Sequence, residues 1–98
     1  MNNFKYFDDI IAAVEALSGD EIENGLLVEL SYQSAVSAKD WGIPVDQMRP
    51  ELIKAAKRSG LDHNDAAYDV NDGLADGLNA LGAFCRLRDS HSMKQQEK

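Results

Sequence analysis

Cysteine is almost missing from this chain: Cys85 is the only one in 98 residues. A single cysteine allows no internal disulfide and no cysteine-based zinc site. Long apolar runs are missing as well, and none approaches the roughly 20 residues of a membrane span. The opening Met1-Asn2-Asn3-Phe4-Lys5 lacks the charged-then-apolar order of a signal peptide. Together these absences point to a cytoplasmic protein. Bases are scarce too: 10 Lys and Arg stand against 17 Asp and Glu, for a net charge of −7. Phosphates repel such a surface, which argues against direct binding to nucleic acid. Strand-like alternation and internal repeats are also lacking.

Apolar residues make up 44% of the chain, enough for a core and too many for a disordered segment. Ninety-eight residues fit one compact domain. Residues 1–89 read as a single helical domain, and residues 90–98 as a flexible C-terminal tail without apolar period. The fold class is all-α, a small bundle of about four helices.

The first helix is expected from about Phe4 to Leu17, with Phe7, Ile10, Ile11, Val14 and Leu17 at helical spacing. Ser18-Gly19 ends it. Asp20 is the expected N-cap of a second helix running to about Ala38, with Glu21 and Glu23 in its first turn. Its apolar residues spread around most of the circumference, as in the central helix of a bundle. Trp41-Gly42-Ile43-Pro44 breaks the pattern. Pro50 suits the first turn of a third helix, ending near Ser59-Gly60. The fourth runs from Asp62 or His63 to Arg88, with Ala67, Val70, Leu74, Leu78, Leu81, Phe84 and Cys85 as its apolar stripe. Asn71-Asp72-Gly73 is good turn chemistry and offers a competing break there. The stripe keeps phase across it, so a continuous helix is favoured, with Gly73 and Gly77 placed where a neighbour can approach.

That fourth helix carries the most informative pattern in the chain. Asp62, Asp65, Asp69, Asp72 and Asp76 follow a 3-4-3-4 spacing, which gathers them within an arc of roughly 80°. No Lys or Arg lies among them. Four neighbouring like-charge pairs should cost the helix about 1–2 kcal/mol in total at low salt, little enough for a merely solvated face. The functional reading is a docking surface for a basic site on a partner protein, with Trp41 and Tyr68 as apolar anchors. The ladder spans about 21 Å with one charge per roughly 5 Å. A DNA duplex carries one charge per about 1.7 Å, so mimicry of nucleic acid would need more carboxylates, such as Asp8, Asp9, Asp20, Glu21 or Glu23.

Other chemistry is thinly represented. Asp69-Val70-Asn71-Asp72-Gly73 misses the register of a calcium loop, and Ala80 stands where a bidentate Glu belongs. Glu21, Glu23 and Glu29 do not form the paired-glutamate helix of all-α nucleotide pyrophosphohydrolases. His63 and His91 have no partner pattern, and Cys85 falls on an apolar stripe. The glycines lack the Lys and Ser/Thr of a phosphate loop. No metal, cofactor or catalytic residue is therefore expected. Size and charge resemble those of small acidic inhibitors carried by phages and mobile elements, including anti-CRISPR and anti-restriction proteins, but no family motif is shared. The expectation is a non-catalytic inhibitor or modulator of a nucleic-acid-handling protein. The alternatives are a structural or regulatory homo-oligomer subunit and, third, a metal-dependent nucleotide hydrolase. Lys54, Lys57 and Arg58 form a basic edge that either neutralises acids of this fold or meets the ladder of a second copy in a homodimer.

Overall fold

A computed structural model describes residues 6–97, with side chains through Leu81. The described residues are all-α: α1 (Phe7–Glu15), α2 (Gly19–Glu23), α3 (Leu26–Trp41), α4 (Val45–Arg58) and α5 (His63–Glu97). Four of these are long, and the fifth, α2, is a five-residue piece cut from the expected second helix. Gly25 makes the cut, since its φ of +87° is a left-handed conformation that ends one helix and opens the next. Ser18, not Asp20, caps α2. Its hydroxyl accepts the Glu21 N–H at 3.2 Å, and the Glu21 carboxylate accepts the Ser18 N–H at 2.8 Å.

The third long helix starts at Val45 rather than Pro50. Pro50 sits one turn inside it, where its absent N–H removes the bond to a single carbonyl, that of Asp46. Two similar corners turn the chain. Gly42 (φ +70°) follows α3 and lets Ile43 N–H reach the Ala38 carbonyl at 3.0 Å. Gly60 (φ +116°) follows α4 and lets Leu61 N–H reach the Ala56 carbonyl at 3.3 Å. Both are Schellman closures, and both tuck an apolar residue, Ile43 or Leu61, against the core.

The long helices alternate in direction. Phe7 at the start of α1 meets Trp41 at the end of α3, with ring centroids 6.3 Å apart. Glu15 at the end of α1 pairs with Arg58 at the end of α4. α3 and α4 form the middle of the bundle, α5 packs against both, and α1 lies on the far side without touching α5 among the described residues. The core is built from Ile10 and Val14, Leu27 and Leu30, Met48 and Leu52, and Val70 and Leu74.

α5 is unbroken through Asn71-Asp72-Gly73 and continues to Glu97, nine residues past the expected end at Arg88. No glycine or proline follows Gly82 to stop it. Its buried stripe is Ala66, Val70, Gly73, Leu74 and Gly77, while Leu78 and Leu81 stand 44% and 37% exposed. The expected stripe was thus rotated from the observed one, because the closest contact is made by glycines. A Cβ on Gly73 would lie 2.3 Å from the Val28 carbonyl oxygen and 2.6 Å from Ser31 Cβ. One on Gly77 would lie 2.6 Å from Ala35 Cβ and 2.7 Å from the Tyr32 oxygen. The expected contributions of Phe84 and Cys85 lie outside the described side chains.

Candidate acidic interface on the last helix

Glycine packing fixes how α5 presents its acids. Gly73 meets Val28 and Ser31, and Gly77 meets Tyr32 and Ala35, so α3 and α5 run parallel in a set register. On a helical projection the aspartates centre about 100° from the buried stripe. They occupy a flank beside α3, nearer the bundle than the expected stripe implied.

The five aspartates do not have equal roles. Asp62 precedes the first turn, and its carboxylate accepts the Asn64 N–H at 3.0 Å, which makes it the N-cap of α5. Asp65, Asp72 and Asp76 are exposed. Asp69 is partly buried, and its carboxyl is held above the ordinary value of 3.8. The causes are desolvation at the helix junction and then the charges of Asp65 and Asp72 on either side.

No ion pair among the described residues reaches the ladder. Asp46–Arg49, Glu51–Lys54 and Glu15–Arg58 are the pairs formed. The basic edge of α4 is therefore spent mainly within its own fold: Lys54 and Arg58 each hold an acid, and only Lys57 of the three does not. Arg49 also turns toward α5, but donates to Asn71 Oδ1 at 2.7 Å rather than to an aspartate.

Of the two expected apolar anchors, Tyr68 stands with the ladder and Trp41 does not. Tyr68 is 73% exposed and lies between Asp65 and Asp72, three residues after one and four before the other. Trp41 ends α3 and packs against Phe7 on the opposite side of the bundle. Asp8 and Asp9 also lie on α1, away from α5. The α2 acids do not join the ladder either. Asp20, Glu21 and Glu23 are exposed, but α2 packs on α3 and makes no contact with α5 among the described residues.

Among the described residues no three His, Cys, Asp or Glu side chains converge in a way that would hold a metal ion. No helix there is long and apolar enough to cross a membrane. Comparison with protein-family models, with curated proteins and with solved structures gives no match.

The sequence pattern left one concave feature unannounced. An open groove of about 370 Å³ lies where the start of α1 meets the α3–α4 corner, lined by Tyr6, Phe7, Asp8, Asp40, Trp41 and Ile43. Its walls come from separate stretches of chain, so no local spacing reveals it; Trp41 beside Gly42 and Pro44 was the one available signal.

Proposed function

We propose that this protein is a non-catalytic binder of a macromolecular partner, which it engages by laying the acidic flank of α5 on a basic surface. The partner class that fits is a nucleic-acid-handling protein, and the role is inhibitor or modulator, of the kind phages and mobile elements use against host defence. The observation that carries this reading is the unbroken helix with Asp65, Asp69, Asp72 and Asp76 on one flank and, among the described residues, no base paired to any of them. Tyr68 adds an exposed aromatic ring at the edge of the same flank.

The partner is first found by affinity capture from the native host and mass spectrometry. Binding through the flank should weaken steeply as salt is raised. The combined Asp69→Asn, Asp72→Asn and Asp76→Asn variant should then lose affinity by at least about tenfold. Undiminished binding by that variant would sink the proposal. A homo-oligomer is the second reading, and half-exposed Leu78 and Leu81 on α5 favour it. A dimer in light scattering with no captured partner would replace the first reading with this one.

A further inference from the structure

The groove between α1 and the α3–α4 corner combines three features that together specify a ligand. Its walls are aromatic: Trp41 and Phe7 stand with their rings inclined at 46°, and Tyr6 is 64% exposed beside them. It is flanked by two exposed carboxylates, Asp8 and Asp40, and neither belongs to an ion pair among the described residues. It also continues along the bundle. A second hollow of about 310 Å³ shares Phe7, Asp8 and Ile43 and extends over Ile11 to Gln47 and Glu51.

Asp40 is poorly explained by the fold itself. It lies in the last turn of α3, where the helix dipole disfavours negative charge. A cation seated against Trp41 would reverse that penalty. Aromatic faces attract cations, and a planar guanidinium can stack on one while its N–H fork reaches carboxylates at the edge. A volume of about 370 Å³ is at the small end for ligand pockets, suited to a single side chain. The adjoining hollow gives neighbouring residues an apolar floor over Phe7, Ile11 and Ile43. The net charge of −7 steers basic partners toward the surface.

We propose that this groove seats an arginine side chain presented by a partner protein, with Trp41 as the stacking face and Asp8 and Asp40 as the charge partners. The site is separate from the α5 flank and does not depend on it.

The full-length protein, labelled with ¹⁵N, should be titrated with acetyl-Leu-Arg-Leu-amide and with the same peptide carrying neutral citrulline. Trp41 is the single tryptophan, so its indole N–H gives one assignable probe. The arginine peptide should shift that signal saturably, together with the amides of Phe7, Asp8, Gly42 and Ile43. Citrulline should bind about tenfold more weakly, as should the arginine peptide to the Asp8→Asn, Asp40→Asn variant. Both carboxylates are exposed, and the citrulline arm uses the unaltered protein, so the test does not rest on the variant's folding. Equal binding of the two peptides, or no shift at all, overturns the proposal. Shifts confined to residues 65–76 also overturn it and leave the α5 flank as the basic-peptide site. Saturation by choline with a silent arginine peptide overturns it in favour of a quaternary-ammonium pocket.

Discussion

On one side of α5, Gly73 and Gly77 press against α3 with no room for even a methyl group. About a quarter-turn away, Asp65, Asp72 and Asp76 stand in solvent with no ion-pair partner among the described residues. The same helix therefore carries a face set by atomic fit beside a face set by charge alone. Substitution should be costly on the first and cheap for the fold on the second.

The strongest way to break that comparison is to fill the seam. Gly73→Ala gains about 1 kcal/mol of helix propensity. Against this, its Cβ must displace the Val28 backbone carbonyl, which cannot rotate aside as a side chain would. Overpacking against a fixed backbone atom falls at the top of its usual range, about 3 kcal/mol, so a net loss of about 2 kcal/mol is expected in urea unfolding. An unchanged midpoint would mean that the helices separate easily and that the register of the aspartates is loose.

Ser31 sharpens the same side. It is fully buried in the seam, and its hydroxyl has no hydrogen-bond partner among the described residues. Alanine keeps the Cβ that packs there and removes the unmatched polar atom. Ser31→Ala should raise stability by about 1 kcal/mol by the same unfolding measurement. A loss instead would show that the hydroxyl has a partner, such as a bound water.

The smallest effect belongs to Asp69, where the two faces meet. Its folded pKa is raised, so the folded state holds that proton more tightly than the unfolded chain does. Below 3.8 the carboxyl is neutral in both states and carries no penalty. As pH rises from 3.8 through the folded value, the unfolded state sheds its proton first, and stability falls by the cost of the half-buried charge. Asp69→Asn should therefore match the parent near pH 3 and exceed it by about pH 6 in urea midpoint. A constant difference across that range would remove Asp69 as the source.

The periodic apolar positions made most of the core legible before any coordinates. Ile10, Val14, Leu27, Leu30, Leu52, Val70 and Leu74 all lie in it, and the helix count follows from them. Three features were harder, each for a physical reason. The cap at Ser18 is written as Ser-x-x-Glu, but Asp20, two residues on, competes as an acid near a helix start. Pro50 looked like a helix opening because proline is favoured there, yet one missing bond inside α4 is evidently tolerated. Gly73 and Gly77 read correctly as places of close approach, but hydropathy gives glycine little weight, so the apolar stripe of α5 is drawn to one side of them. For the site, the acidic spacing could be read directly once the helix was continuous. The pairing state of the acids could not, since it depends on where Arg49, Lys54 and Arg58 turn. Nor could the groove around Trp41, which joins stretches of chain far apart in sequence.

The glycine seam has one more consequence. Val28 and Tyr32 are one turn apart on α3, as Gly73 and Gly77 are on α5, and each glycine faces the corresponding carbonyl oxygen. The hydrogen that stands in place of a side chain on each glycine is therefore aimed at a backbone acceptor. Such Cα–H···O contacts are worth about 0.5–1 kcal/mol each where they recur between helices. The junction that orients the acidic flank is thus partly a polar bond between two main chains, made by the residues whose side chains are missing.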